Sequence, residues 1–490
     1  MYKSNLHYWL IALVIFSVLS ACSKDKVLEI SHEKMPITTT ASEAASAYQL
    51  GMTATDKLQN VKAAKYFNQA LEQDPSFAMC WLQMGFVLPG TDLMLAALDS
   101  AKFYAPGASR GEQLIIQAAA FGVEGKKQEQ HRALESLVEL YPGDERVQLA
   151  MGNYHFELQQ YRQAIDSYDK ATTINPNLAI LFNQIGYSQR ALGNYGEAEK
   201  AFKRYIRLNS DNANAFDSYA ELLMEMGRYK EAVDFYGQAL EKDPNFVASY
   251  LGMACSYGFM GQHDQARDQL DIMKSGVRNH VDLRRAIYAE ALTYVCENNL
   301  SQAITIFQDL MEMKDNDSEM ANRANDLAAI GSLFLELDST EAALSRFEQS
   351  IQLVRDSDLP PAIIEVTEAQ HLYNLARVYA AQGDFEKAKQ MAREYLVQIE
   401  PLNNPLRMQL SFQLKGIIAL HEKDYEEAII QLEQANQLNP YNLYRIGLAY
   451  EGMGEKDRAV MMMQRAEELN VLNSMDQALV LSKTRHKITS

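Results

Sequence analysis

Side chains able to do chemistry are plentiful in this chain but scattered. It carries nine histidines, 64 carboxylates and four cysteines in 490 residues. His421-Glu422 lacks the second histidine that a zinc-peptidase helix needs four positions after the first. There is no GxSxG elbow, no glycine-rich phosphate loop ending in Lys-Ser/Thr and no dinucleotide fingerprint. The acidic residues fall at outward positions of helical stretches and read as solvated faces. The histidines show no ligand spacing. Cys80, Cys255 and Cys296 form no CxxC and pair with no histidine. Cys255 and Cys296 fall on first helices of neighbouring helical units, so a bridge between them and a pair of small buried thiols both stay open. These observations predict a protein that is no enzyme and needs neither metal nor cofactor.

The elements that position side chains are better defined, and residues 145–246 organise them. Residues 159–176, 193–210 and 227–244 are copies of one pattern. Tyr161, Tyr195 and Tyr229 fall in one column, Ala164, Ala198 and Ala232 in a second, and Tyr168, Phe202 and Tyr236 in a third. The period is about 34 residues. A first helix carries a small residue at a fixed slot, Gly152, Gly186 or Ala220, and the second carries the small alanine. Two helices approach closely only where side chains are small, so these columns mark crossing points, with the aromatic column beside them packing on the next unit. Pro176 and Pro244 stop the second helices. One such pair cannot bury its apolar stripe alone, so neighbours must stack.

This pattern resembles the tetratricopeptide repeat (TPR) family. The resemblance implies an all-α, right-handed superhelical solenoid of about twelve helix–turn–helix units. Units run from residue 44 to 472, with a looser stretch between 78 and 144, where Pro89-Gly90 interrupts a first helix. Polar loops are expected at residues 315–318 and 356–361. The second contains Pro360-Pro361 and divides the array into parts 44–355 and 356–472. Residues 473–490 read as a helix whose charged face caps the open end, plus a tail.

Residues 1–21 read as an export signal, with Lys3 before an apolar core at 9–19 that is too short for a membrane span. Leu19-Ser20-Ala21-Cys22 is similar to the lipobox of bacterial lipoproteins. That resemblance implies a lipid thioether on Cys22, cleavage before it and acylation of the new amine, with several acyl chains (palmitate among such groups) giving stable anchoring. Residues 22–43 read as the lipidated cysteine and a flexible polar tether.

In TPR proteins the first helices line a concave groove that takes peptides or proteins. The groove slots read Leu149 and Asn153, then Asn183, Tyr187 and Arg190, then Asn214, Asp217 and Glu221. Asparagine offers a donor and an acceptor to an extended backbone, and Tyr187 offers a flat surface. Chaperone-binding members hold a C-terminal carboxylate with lysines at slots that here are Leu149, Asn183 and Asp217, so that clamp is absent. Later slots are apolar: Leu251, Tyr288, Leu292, Val295, Ile417 and Leu420. They suit an amphipathic helix or the coil of the array itself. The net charge of -18, with no run of lysine or arginine, argues against nucleic acid. The expectation is a membrane-anchored interaction scaffold of the bacterial cell envelope, periplasm-facing or at the cell surface. The alternative is a surface or periplasmic lipoprotein that binds oligosaccharides or peptides for uptake.

Overall fold

The computed structural model describes residues 34–488, except 89, 278, 314–318, 360 and 403. The expected signal at 1–21, Cys22, the first part of the tether, Pro89, the loop at 315–318 and Pro360 lie outside the described residues. Among the described residues there is no strand. The helices of the described residues form twelve pairs and a final single helix, the stacked helix pairs of a TPR solenoid.

Two compact units divide the chain, one ending at Asn209 and the other beginning at Ser210. The first holds five pairs: α1 (Ser42–Asp56) with α2 (Asn60–Gln73), α3 (Ala78–Val87) with α4 (Thr91–Tyr104), α5 (Arg110–Val123) with α6 (Lys127–Leu140), α7 (Glu145–Glu157) with α8 (Tyr161–Ile174), and α9 (Ala179–Ala191) with α10 (Tyr195–Leu208). The second holds α11 (Ala213–Glu225) with α12 (Tyr229–Lys242), α13 (Val247–Phe259) with α14 (His263–Gly276), α15 (His280–Cys296) with α16 (Leu300–Glu312), α17 (Glu319–Glu336) with α18 (Thr340–Arg355), α19 (Pro361–Gln382) with α20 (Phe385–Ile399), α21 (Pro405–Glu422) with α22 (Tyr425–Gln434), and α23 (Pro440–Gly452) with α24 (Lys456–Glu467). The single helix α25 (Met475–Ile488) ends it. The proline-bearing segment at 356–361 joins α18 to α19 inside the second unit. Pro361 takes the first helical position of α19, where its missing N–H costs nothing.

The repeat is cut by two local devices. Several first helices start on a side-chain cap: Asp144 Oδ1 accepts from the amides of Arg146 and Val147, and Asn439 caps Tyr441 and Asn442. Each first helix turns into its partner through a residue with positive φ, Gly193 and Gly227 at +74° among them. Glycine adopts that conformation without strain.

Several pairs lock on a glycine–ring contact. A Cβ on Gly152 would meet Tyr168 at 2.3 Å, one on Gly186 would meet Phe202 at 2.6 Å, and one on Gly331 would meet Phe347 at 2.7 Å. Each ring comes from the second helix of the same pair and is buried. The third column therefore seats first on the glycine of its own unit rather than beside it. Tyr236 makes the expected contact with the next unit, at Gly252.

Two expectations about the ends are corrected. Residues 34–41 do not float as a tether; they form an extended segment hydrogen-bonded to Asp74, Glu112 and Asp144. Helix α25 does contact α23 and α24, as a cap would, but it also packs on α15. Its Ala478, Leu479 and Val480 share one buried core with Leu292, Val295, Phe307 and Leu333. The sequence assigned α25 a charged capping role; its apolar residues also enter the core, while Lys483 pairs with Glu336.

Candidate binding faces of the first helices

The predicted groove residues fall in both units and have unlike surroundings. In the first unit, Asn153 on α7 is exposed, and its Oδ1 accepts from Tyr168 Oη at 2.9 Å and from Gln184 Nε2 on α9 at 3.2 Å. Half-buried Tyr187 stands edge-on to Phe202 with centroids 5.2 Å apart, and the Arg190 guanidinium lies 4.8 Å over its ring. Such a stack holds a long cation in place on an aromatic face. Asn183 is buried, and its Oδ1 has no hydrogen-bond partner. A buried acceptor left unmet costs about 1–3 kcal/mol. The structure thus gathers Asn153, Asn183, Tyr187 and Arg190 on two successive first helices.

In the second unit, half-buried Asn214 on α11 turns its amide to Ser218 Oγ at 3.4 Å. Asp217 is buried and accepts from Ser249 Oγ on α13 at 2.7 Å. Burial pushes its pKa up to about 7, the Ser249 bond opposes that rise, and the Glu221 carboxylate adds to it. Asp217 is thus a packed, internally paired group, whereas Glu221 keeps partial exposure. The apolar slots Tyr288, Leu292 and Val295 of α15 pack in the core that α25 joins, so an amphipathic helix does lie there and it belongs to the chain.

Beside that helix is a cavity of about 40 Å³ lined by Cys255, Thr293, Cys296, Asn473 and Gln477. Cys80, Cys255 and Cys296 are free thiols, so the open question of a bridge resolves to small packed side chains. Cys255 Sγ lies 3.3 Å from Asn473 Oδ1, and burial pushes the thiol up to about 11, which keeps it protonated and unreactive at neutral pH.

Sequence reasoning missed a polar lock under α25. Tyr441 Oη donates to both carboxylate oxygens of Glu336 at 2.7 Å, Lys483 Nζ sits 2.9 Å from Glu336 Oε2, and the Arg445 guanidinium stacks 3.9 Å over Tyr441. Burial raises the Glu336 pKa, but Lys483 and the Tyr441 bond outweigh it and leave the carboxylate below its usual range. These residues are far apart in sequence, and no local pattern links them. Among the described residues, no group of three or more His, Cys, Asp or Glu is placed to hold a metal, and no helix is long and apolar enough to cross a membrane.

Comparison with known proteins matches several of these pairs. Family models described as tetratricopeptide repeat match residues 145–178, 179–212, 369–394, 411–442 and 441–469. A model of the second ARM domain of tetratricopeptide repeat protein 21 matches 197–322. The chain is 25% identical over 382 residues to the CTR9 homolog of Arabidopsis thaliana, covering 73% of this chain and 33% of that protein. It is 29% identical over 107 residues to small glutamine-rich tetratricopeptide repeat-containing protein 2 of Mycosarcoma maydis, covering 22% of this chain and 30% of that one. The chain thus spans about a third of the length of these curated relatives. Among solved structures, a tetratricopeptide repeat protein from Parabacteroides merdae aligns with TM-score 0.40 and 16% identity over 53% of this chain and 98% of that one. YrrB, described as a TPR protein with an unusual peptide-binding site, aligns with TM-score 0.29 and 19% identity over 38% of this chain and 95% of that one. The helix pairs, their glycine–ring locks and these family matches agree that the chain is built of tetratricopeptide repeats.

Proposed function

We propose that the protein is a non-catalytic scaffold of the bacterial cell envelope, anchored by lipid on Cys22, that binds a protein or peptide on the α7–α9 face. The observation that carries the binding half is the buried, unpartnered Oδ1 of Asn183, next in sequence to the Gln184–Asn153 pair and one helical turn from the Tyr187–Arg190 stack. A ligand N–H that reached Asn183 would relieve an unmet acceptor, and the stack supplies flat contact area with little ordering cost. The anchoring half rests on residues 19–22 alone. Anchoring would keep the face at a raised local concentration for membrane partners. The absence of any recognisable catalytic constellation in the sequence supports the non-catalytic reading.

The binding half is tested by capture from envelope extracts with the protein from Ser23 onward, set against Asn183→Ala/Tyr187→Ala. A partner that the parent retains and the variant loses is the expected result. An identical capture profile, or a thermal shift produced by oligosaccharides instead, would overturn the reading. For the anchor, a palmitate analogue should label the parent in a bacterial host but not Cys22→Ala. Equal labelling of the two would remove Cys22 from the account.

A further inference from the structure

Residues 34–41 lie across the first unit as a strap, and the groups that hold them recur once per repeat. Lys34 Nζ donates to Glu145 Oε1 at 2.7 Å, and the Met35 amide to Asp144 Oδ2 at 2.8 Å. The Pro36 carbonyl accepts from Ser109 Oγ at 3.2 Å. Thr38 gives its amide to Glu112 Oε1 at 2.8 Å and its hydroxyl to Glu112 Oε2 at 2.5 Å. Asp74 Oδ2 takes the Thr39 hydroxyl at 2.6 Å and the Thr40 amide at 3.1 Å. The Met35 side chain lies against Gly111, where a Cβ would meet it at 2.6 Å.

The holders are built and the occupant is superficial. Asp74, Glu112, Asp144 and Glu145 are all at most 6% exposed, whereas Lys34, Pro36, Ile37, Thr38 and Thr40 are exposed. The carboxylates sit in the α2–α3 turn and at the starts of α5 and α7, and three of them are also held by groups outside the strap. Ser76 holds Asp74 Oδ1, the Ser109 amide holds Glu112 Oε2, and the amides of Arg146 and Val147 hold Asp144 Oδ1. Glu112 and Asp144 are therefore held in position by helix caps, and Asp74 by its turn with Ser76, without the strap's help. Glu145 Oε2 remains buried without a partner, so the track has an acceptor to spare beside the lysine end. Three of the strap's bonds come from backbone amides, which any extended peptide possesses.

We propose that Asp74, Glu112, Asp144 and Glu145 form a second binding track for an extended peptide. Its ligand has a basic residue, an apolar residue against Gly111, a proline and then hydroxyl side chains, and residues 34–41 are its resident, displaceable occupant. An incoming segment of the same chemistry exchanges with the strap. This track is separate from the α7–α9 face and stands or falls apart from it.

The test uses the full chain and a fluorescein-labelled peptide of residues 34–42. Thr38→Pro with Thr39→Val removes an amide and two hydroxyls from the strap while leaving every helix cap intact. Fluorescence anisotropy should show this released variant binding the peptide at least tenfold more tightly than the parent. A peptide with Lys34 replaced by Glu should bind neither. Equal binding to parent and variant, or no binding to a variant whose helical circular dichroism is unchanged, would overturn the proposal. Hydrogen exchange on the unaltered chain gives an answer independent of any variant. The amides of Met35, Thr38 and Thr40 should be protected and should lose protection when excess peptide is added. Exchange at free-chain rates without peptide would show that the strap is not seated.

Discussion

The two ends of the described chain are both held by the chain itself, and by opposite chemistry. At the N-terminal end, a thin extended strap lies on the surface and is held by hydrogen bonds to four carboxylates. At the C-terminal end, α25 puts Ala478, Leu479 and Val480 into a core with residues of α15, α16 and α17. A surface hydrogen bond nets about 0.5–1.5 kcal/mol, because water competes for both partners. Burying a valine or leucine contributes about 1.5–3 kcal/mol, and no dissolved competitor replaces it. The first kind of closure is exchangeable and suits a binding site. The second is part of the fold, and it makes the inner face of α15 unavailable to outside ligands.

The sharpest way to break this contrast is at Glu336. Replacing it with alanine leaves Lys483 and the Tyr441 hydroxyl without their shared partner under α25. Removing one member of a fully buried pair costs about 3–5 kcal/mol, and with the Lys483 side chain 30% exposed the loss here should fall at or below the lower end. We expect Glu336→Ala to lower the urea midpoint of the second unit while the transition of the first stays in place. A uniform loss, or none, would mean that α25 is attached more loosely than its core suggests.

A substitution in the repeat itself should fall between the two ends. At Gly152 a Cβ would stand 2.3 Å from the buried Tyr168 ring. Alanine is the better helix former by about 1 kcal/mol, but overpacking a rigid buried ring costs about 1–3 kcal/mol. Gly152→Ala should therefore destabilise the first unit in thermal melts, whereas Gly196→Ala, with nothing within 4 Å of its Cβ, should stabilise it. The same sign at both positions would show that propensity, not the ring contact, governs these helices.

The repeating columns of small and aromatic residues were the most legible feature of the chain, although the seating of a ring on the glycine of its own unit was not. Gly152 with Tyr168, Gly186 with Phe202 and Gly331 with Phe347 recur at a fixed offset because each pair is one local hairpin. Helix ends were legible where a proline stops them, as at Pro176 and Pro244, just past the ends of α8 and α12. Long-range closure was not. Nothing near Lys483 announces Glu336, and the partners of Thr38 and Thr39 lie many residues downstream. Residues 34–41 looked like a tether because an extended strand on a helical surface needs no apolar stripe; its donors are mostly small side chains and backbone amides. Asp217 read as a groove contact because its slot is defined by the repeat, while its burial is set by Ser249 on the next pair.

The smallest effect is at the strap, and pH isolates it. Asp74 is raised by burial but lowered more by its bonds from Ser76, Thr39 and Thr40, to about 2. An unfolded aspartate titrates near 3.9. A carboxylate with a depressed folded value contributes stability that is complete above the unfolded value and fades as pH falls towards the folded one. The Asp74 contribution should therefore disappear between about pH 4 and pH 2. Asp217 runs the other way: its folded value near 7 lies above the unfolded one, so its contribution is complete below about pH 4 and is lost as pH rises through 7. Below pH 4, then, Asp217 is protonated in both states and adds no slope. Thr39→Val removes one of the bonds that lower Asp74. It should cost no more than about 1 kcal/mol at neutral pH and should flatten the acid limb below pH 4, read by circular dichroism against pH. An unchanged acid limb would mean that Ser76 and the Thr40 amide hold Asp74 ionised without help from the Thr39 hydroxyl.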